Sequence, residues 1–133
     1  MESFSNGVRL ETSIGPGTRL RADPDQLHRI LVNLLKNARE AIEEDPERGG
    51  VGRVRVDLTP GEVAVVLRLA DDGPGLPERA RSYLFQPFAG SGRRGGVGLG
   101  LAIARELAQA HGGDLDLVET GASGTVFELR LPR

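Results

Sequence analysis

The sequence predicts a two-layer α/β sandwich of the α+β class, in which a mixed sheet of about five strands lies under three helices. Short runs of alternating apolar and polar residues, typical of half-buried strands, stand on both sides of two longer segments with helical spacing. Paired strands separate the helical segments, which argues against a helix bundle and against a strictly alternating parallel sheet. We expect all 133 residues, numbered 1–133, to share a single core.

The first part of the chain predicts a hairpin followed by a long helix. Residues 8–14 and 18–21 alternate in polarity around Gly15-Pro16-Gly17, as two short paired strands would. Asp23 followed by a proline is typical of a helix start, and apolar residues then recur every three or four positions until about Glu44.

The middle of the chain predicts two strands and a short helix. Residues 53–58 alternate, so only one side of this strand should be buried. Residues 62–70 are almost all apolar, as in a central strand that is covered on both faces. Residues 78–84 could form the third helix. Because alternate residues of a strand point to the same face, one face of this strand should carry Val63, Val65, Leu67, Leu69 and Asp71.

The last part predicts a second long helix and two strands. Helical spacing returns from Gly98 to His111, and the glycine pair 112–113 is a typical helix stop. His111 stands where an imidazole can hydrogen-bond the last carbonyl groups, so we expect it to be structural. The apolar residues of the two final strands alternate with polar ones: Leu115, Leu117, Phe127, Leu129 and Leu131.

The composition excludes several kinds of protein. The chain has no cysteine and only two histidines, so disulfides, thiolate metal sites and a typical zinc site are excluded, and any metal should have oxygen ligands. A net charge of −2 argues against a nucleic-acid partner. No apolar run reaches the ~18 residues of a membrane helix, and the first residues lack a signal peptide pattern. We therefore expect a soluble, cytoplasmic domain.

Asn33 and Asn37 form the first candidate site. They lie four residues apart, about one helical turn, so their amides project from the same stripe of the first helix. Amide oxygens are adequate ligands for Mg²⁺, which also keeps waters and phosphates in its octahedron. A solvated polar edge, or local hydrogen bonds to the backbone, is the alternative.

Asp71 forms the second candidate site, because it ends an apolar strand and opens the turn Asp71-Asp72-Gly73-Pro74-Gly75. A carboxylate there can accept a hydrogen bond from the exocyclic amine of adenine, whereas guanine would present a carbonyl. The alternative is an ordinary turn, for which these residues are well suited.

A glycine-rich stretch forms the third candidate site. Gly96, Gly98 and Gly100 open the second long helix, where backbone N–H groups and the helix dipole favour phosphate. We expect residues 88–98 to be a flexible lid, and a plain flexible linker is the alternative. Arg93 and Arg94 could neutralise phosphate oxygens or stand exposed without a role.

In their order along the chain, four motifs resemble the N, G1, F and G2 boxes of sensor histidine kinases: Asn33-Leu34-Leu35-Lys36-Asn37-Ala38, Asp71-Asp72-Gly73-Pro74-Gly75, Leu84-Phe85-Gln86-Pro87-Phe88 and Gly96-Val97-Gly98-Leu99-Gly100. The resemblance spans about residues 18–131. It is to the catalytic and ATP-binding domain of that family, within the GHKL superfamily that also contains gyrase-type topoisomerases, Hsp90 chaperones and MutL repair proteins.

The resemblance implies that Mg-ATP binds between the helices and the sheet. Asn37 would ligate Mg²⁺ with help from Asn33, and Asp71 would hold the adenine amine. Phe85 and Phe88 would anchor the lid. The remaining ATP-binding residues implied are Gly73, Gly75 and Leu76 around the base, and Arg93, Arg94, Gly96, Val97, Gly98, Leu99 and Gly100 around the phosphates.

The resemblance also implies how the nucleotide is used. ATP-hydrolysing members of the superfamily carry a glutamate where this chain has Asn33, which cannot take a proton from water near neutral pH. Transfer of the γ-phosphoryl group to a histidine in two-component signal transduction is therefore favoured over hydrolysis. No segment resembles the helix that carries this histidine, so we expect no catalytic residue in this chain and no autophosphorylation by it alone.

The expected partners follow from the same resemblance. They are the dimerisation and phosphoacceptor helical domain of the parent kinase and, indirectly, a response regulator. We expect the domain to be monomeric and the parent to be a homodimer that could be anchored in a membrane.

Two departures from the family pattern stand near Asn37. Glu40 takes the place of a basic residue, and Ala41 takes the place of an aromatic one that stacks on adenine in some members. Two other kinds of protein with this fold are alternatives: a stand-alone serine kinase of the anti-sigma-factor type, and a non-catalytic scaffold that binds nucleotide.

Overall fold

The computed structural model describes residues 2–3, 7–13, 22–43, 45, 47, 49, 51–76, 81, 84–86 and 100–132. Within these residues, the chain forms two helices and six strands. In chain order they are β1 (Glu2–Ser3), β2 (Val8–Ser13), α1 (Pro24–Glu43), β3 (Gly52–Pro60), β4 (Ala64–Asp71), α2 (Gly100–Ala110), β5 (Asp114–Gly121) and β6 (Gly124–Pro132).

All the strands join one mixed sheet in the order β1-β2-β3-β4-β6-β5. β2 and β3 are parallel, and every other neighbouring pair is antiparallel. The mixed sheet is confirmed, and the strand beyond the expected five is the two-residue β1. The predicted strand at 18–21 lies outside the described residues and stays a prediction.

The helices and the sheet enclose one hydrophobic core. α1 packs against β2, β3 and β4, α2 packs against β5 and β6, and the two helices contact each other. The count of three helices is not confirmed, because most of the predicted third helix at 78–84 lies outside the described residues. Neither described helix is long and apolar enough to span a membrane. The largest fully buried apolar side chains are Val8, Ile30, Leu34, Ile42, Val54, Leu69, Leu115, Phe127 and Leu129.

Asp23 caps the start of α1, as the sequence predicts. Its carboxylate Oδ1 accepts hydrogen bonds from the backbone N–H groups of Asp25, at 2.9 Å, and Gln26, at 3.1 Å. These bonds satisfy two of the N–H groups that the first turn of a helix leaves without an intrahelical partner.

His111 connects the end of α2 to the start of α1. Its Nε2 lies 3.1 Å from the backbone N–H of Asp23, and its Nδ1 lies 2.8 Å from the carbonyl oxygen of Leu107. A backbone N–H can only donate, so Nε2 accepts and Nδ1 carries the proton. Both ring nitrogens are therefore occupied by the backbone, which agrees with the structural role that the sequence predicts.

The glycine stop of α2 is confirmed. Gly112 has a φ of 83°, and its N–H donates to the carbonyl of Gln109 at 2.9 Å. The N–H of Gly113 donates to the carbonyl of Ala108, also at 2.9 Å. This pair of bonds is the Schellman motif, which needs a residue in the left-handed region and therefore favours glycine.

The start of β4 differs from the prediction. β3 ends at Pro60 and β4 begins at Ala64, because the N–H of Gly61 donates to the carbonyl of Ala64 at 2.8 Å and closes the turn between them. Val63 belongs to this turn and is 84% exposed, so it does not share the buried face of the strand.

The prediction that this strand is covered on both faces is wrong. Val65, Leu67 and Leu69 are buried, but Arg68 on the other face is exposed. The apolar residues of that face, Val66 and Ala70, are only half-buried, and they lie opposite Arg130 of β6 and Arg55 of β3. Arginine stems can shield apolar neighbours while the charged group stays in water, which accounts for an apolar strand whose second face is not covered by a helix among the described residues.

Candidate functional site

The carboxylate of Asp71 lies at the end of β4, on the face of the sheet that meets the helices. Asp71 is 7% exposed, and Leu67 and Leu69 on the same face are buried. Its Oδ1 accepts a hydrogen bond of 2.9 Å from the N–H of Gly73. A buried carboxylate held in this way is a hydrogen-bond acceptor in the gap between the sheet and the helices. The sequence predicts this placement from the alternation along β4.

The turn after Asp71 needs its glycines because other atoms of the chain come close to them. Gly75 has a φ of 84°, and a Cβ on it would lie 2.3 Å from the carbonyl oxygen of Gly121. A Cβ on Gly73 would lie 2.9 Å from Oδ1 of Asp71. Gly73 itself packs against the C-terminal part of α1, because the same Cβ would lie 3.6 Å from the Cβ of Ala41. The turn is therefore fixed between α1 and the β5–β6 hairpin.

Asp72, the second acidic residue of the turn, has a different task. Its Oδ1 accepts a hydrogen bond of 2.7 Å from the N–H of Arg53, and its own N–H donates to the carbonyl of Arg53 at 3.1 Å. Asp72 thus extends the pairing of β3 and β4 by one residue. The two neighbouring aspartates therefore have different positions: Asp71 faces the helices, and Asp72 joins the ends of β3 and β4 by hydrogen bonds.

Asn33 and Asn37 are half-buried on α1, at the border between its buried and exposed faces. Asn33 lies beside the first residue of α2, since a Cβ on Gly100 would be 3.8 Å from Oδ1 of Asn33. The structure therefore brings one predicted metal ligand next to the helix N-terminus that is predicted to bind phosphate. The amide oxygens of these asparagines suit a hard cation such as Mg²⁺, with phosphates and waters as the remaining ligands.

Several predicted site residues lie outside the described residues. They are Phe88, Arg93, Arg94, Gly96, Val97, Gly98 and Leu99, together with the rest of the predicted lid at 88–98. Their proposed roles remain predictions.

Phe85, a predicted anchor of the lid, is half-buried against the core. Its ring meets that of Phe127 edge-on, with centroids 6.3 Å apart and an interplanar angle of 78°. The guanidinium carbon of Arg105 lies 4.6 Å from the Phe85 ring centroid, and Nε of Arg105 is 3.1 Å from Oδ1 of Asp114. Edge-on rings and a cation over an aromatic face both stabilise such contacts. Phe85 is thus held from two sides.

Asp114 is itself held by several donors. Burial alone would raise the pKa of Asp114, but hydrogen bonds from the Leu115 N–H, Arg105 and Gln109 and the charge of Arg105 together lower this pKa below its ordinary value. The carboxylate of Asp114 therefore stays charged and keeps Arg105 in place over the ring of Phe85.

The sequence patterns did not single out Thr125, which lies opposite Asp71, or Thr120, which lies opposite Thr125 on the next strand. Thr125 of β6 is 2% exposed and lies directly opposite Asp71 in the sheet. Its hydroxyl lies 2.9 Å from that of Thr120 on β5, and Thr120 Oγ1 accepts a hydrogen bond of 2.8 Å from the N–H of Leu76. One signal could have found Thr125: extending the alternation of Phe127 and the leucines after it back by two residues puts Thr125 on the buried face.

Residues 22–133 match the family described as histidine kinase-, DNA gyrase B-, and HSP90-like ATPase. The chain belongs to this family. Proteins named as sensor histidine kinases are among its similar relatives and solved structures, which confirms the resemblance indicated by the four motifs.

Two relatives and one solved structure give the degree of similarity. The chain is 43% identical over 117 residues to the C4-dicarboxylate transport sensor protein DctB of Rhizobium meliloti, covering 88% of this chain and 17% of that protein. It is 43% identical over 111 residues to the sensor histidine kinase GtrS of Pseudomonas aeruginosa, covering 83% of this chain and 22% of that protein. The mycobacterial sensor histidine kinase MprB superposes with a TM-score of 0.76 at 30% identity, over 94% of this chain and 83% of that chain. The family domain is thus one part of much longer relatives.

Proposed function

We propose that this chain binds Mg-ATP between α1, the start of α2 and the end of β4, and donates the γ-phosphoryl group to a histidine on a separate domain. The observation that carries the proposal is the buried carboxylate of Asp71, oriented by the N–H of Gly73 on the helix side of the sheet. The similarity to sensor histidine kinases supports the reaction.

The base end of the proposed site selects adenine. Asp71 accepts a hydrogen bond from the exocyclic amine, and an unmet pair there would cost on the order of 1–3 kcal/mol. Gly73 and Gly75 let the turn approach the base closely, and Leu76, which is 5% exposed, supplies an apolar wall. Guanine would set its carbonyl oxygen against the carboxylate.

The phosphate end of the proposed site is formed by α1 and the start of α2. Asn37 ligates Mg²⁺ and Asn33 assists at the metal and phosphates, while Gly100 and the glycines before it offer backbone N–H groups. The metal, when bound, neutralises phosphate charge. Glu40 is the acidic residue that departs from the family pattern. Lys36 Nζ lies 3.9 Å from Glu40 Oε1, so the negative charge of Glu40 is offset by a lysine on the same helix.

Transfer to a protein side chain is favoured over hydrolysis because Asn33 cannot act as a base for water. The chain positions the nucleotide and neutralises charge. A nitrogen of the acceptor histidine forms the new P–N bond as the bond to the β-phosphate oxygen breaks and ADP leaves. The acceptor is not His111, whose two ring nitrogens both bind backbone groups.

The proposed parent protein is a homodimeric sensor kinase with a dimerisation and phosphoacceptor helical domain, and it passes the phosphoryl group on to a response regulator. The domain itself acts in the cytoplasm, is monomeric and does not bind nucleic acid. These partners are inferred from the relatives, whose chains extend far beyond the matched part.

Labelled ATP tests the reaction when the chain is mixed with the phosphoacceptor helix pair of its parent kinase. Acid-labile phosphohistidine should form on the helix pair and should disappear with Asn37→Ala. Thr59→Val, an exposed change on β3, is the matched control and should leave the product unchanged. Acid-stable phosphoserine on another protein would favour the serine kinase instead. Binding of Mg-ATP with no transfer to any acceptor would favour the scaffold.

A further inference from the structure

Arg105 connects α2 to the segment that carries Phe85 and to the first residue of β5. Its guanidinium carbon lies 4.6 Å from the centroid of the Phe85 ring, and its Nε lies 3.1 Å from Oδ1 of Asp114. The same Oδ1 accepts a hydrogen bond of 3.3 Å from the side-chain amide of Gln109, one turn further along α2. One carboxylate at the start of β5 therefore holds two side chains of the same helix.

The ring of Phe85 lies between α2 and β6. It meets Arg105 of α2 and, edge-on, the ring of Phe127 of β6, with the two ring centroids 6.3 Å apart. Phe127 is 1% exposed, so its ring cannot move without disturbing the close packing of the core. A bulky ring held between a helix and a strand sets the distance between them. The contact of Arg105 with Phe85 therefore fixes how far α2 stands from the sheet.

The same helix begins at the phosphate end of the proposed site. Gly100 is the first residue of α2, and a Cβ on it would lie 3.8 Å from Oδ1 of Asn33. Arg105 follows on the same helix, about 7.5 Å further along its axis. A shift of α2 against β6 would move the N–H groups of its first turn relative to Asn33. Such shifts are costly, since a misplacement of about 1 Å can cost ~100-fold in rate.

We propose that Arg105 is a positioning residue for the nucleotide phosphates, because it holds Phe85 between α2 and β6 and so keeps the first turn of α2 beside Asn33. The inference rests on the proposed ATP function. The guanidinium of Arg105 is engaged by the Asp114 carboxylate and the Phe85 ring, so it acts through the position of α2 and not through its own charge. Its contribution concerns the triphosphate and leaves the base and ribose unaffected.

Calorimetry with Mg-ATP and an NMR titration with adenosine test this assignment, since adenosine carries the base and ribose without phosphate. Arg105→Met keeps a long apolar side chain and removes the cation over Phe85 and the ion pair with Asp114. The dissociation constant of Mg-ATP should rise about fivefold, whereas that of adenosine should change by less than about twofold. Arg105→Lys keeps a cation near the ring and should limit the rise for Mg-ATP to about twofold.

Arg68→Met is the matched control. Nε of Arg68 lies 3.2 Å from Oε2 of Glu128, so this change also removes an arginine ion pair, but from the exposed face of β4. Both dissociation constants should stay unchanged. Phe85→Leu removes the ring from the same contact as Arg105→Met and should weaken Mg-ATP binding by a similar factor. The double variant should bind little more weakly than either single variant, because both changes remove one shared contact.

The outcomes separate this inference from the proposed function. A wild-type chain that does not bind Mg-ATP would overturn the proposed function and the role of Arg105 with it. A wild-type chain that binds Mg-ATP would leave the proposed function standing, and the role of Arg105 alone would be overturned if folded Arg105→Met kept both constants or weakened both ligands by the same factor. Circular dichroism checks the fold. If neither Arg105→Met nor Phe85→Leu folds, the contact is required for folding rather than for phosphate binding, and the inference fails.

Discussion

Replacing Asp71 with asparagine tests the proposed base contact with almost no change in side-chain size. In the wild-type structure, the N–H of Gly73 holds Oδ1 of Asp71 at 2.9 Å. In Asp71→Asn, the same N–H should keep the remaining amide oxygen, because an amide nitrogen cannot accept it. The NH₂ group then occupies the position that would meet the base, and it sets a donor against the donor amine of adenine.

The size of the effect follows from the burial of this position. A hydrogen bond to a charged group contributes about 1.5–3 kcal/mol, which corresponds to about 10- to 150-fold in a dissociation constant. Asp71 is 7% exposed, so water has little access to relieve the mismatch. We expect the upper part of this range for Mg-ATP. Mg-ITP should lose much less, because its carbonyl oxygen can accept from the new NH₂ group.

Titration calorimetry of wild type and Asp71→Asn with both nucleotides measures the effect, and a thermal melt without nucleotide reports on the fold. Asp116→Asn removes the same charge from an exposed position on β5 and should change binding by no more than about twofold. Equal ATP affinity in wild type and folded Asp71→Asn would refute the base contact.

Two further predictions concern stability. Gly75→Ala should lower the free energy of unfolding, measured in urea, by at least about 2 kcal/mol, because φ is 84° and the new Cβ would meet the carbonyl of Gly121. Gly121→Ala is the control, since its Cβ would meet open space, and it should change the free energy of unfolding little. Similar losses in both variants would contradict the prediction. The lowered pKa of Asp114 means that its carboxylate stabilises the fold above the ordinary carboxyl range and that this contribution is lost as pH falls through the lowered value. Asp114→Asn should therefore destabilise the chain near neutral pH and flatten the acid side of its stability profile, and parallel profiles would count against it.

The sequence was most informative where one local pattern has one physical solution. Asp23 before a proline predicts a capped helix, and the cap is present. The glycine pair after His111 predicts a helix stop, and the Schellman bonds are present. Alternation along β4 predicts a buried Asp71. For the cap and the stop, the residues that decide the outcome are neighbours in sequence; for Asp71, the local alternation chose the face, and the helices packed on that face bury it.

The sequence was less informative where the outcome depends on distant segments. The apolar run of β4 suggests cover on both faces, but on one face its apolar residues lie opposite Arg55 and Arg130 of neighbouring strands, which the local pattern of β4 cannot reveal. The β-bulge between Leu117 and Glu119 of β5 has no signal in the alternation.

The sequence by itself determined the order of the motifs, the strand and helix that carry Asp71 and Asn37, and the lack of a base at Asn33. These are properties of residue type and spacing. Only the tertiary structure decided that the β5–β6 hairpin supports the Asp71 turn, that Asp72 joins β3 to β4 and that Thr120 contacts both Leu76 and Thr125. Thr120 and Leu76 are 44 positions apart in the chain, and their contact exists only because β4 and β6 pair and bring the hairpin against the turn.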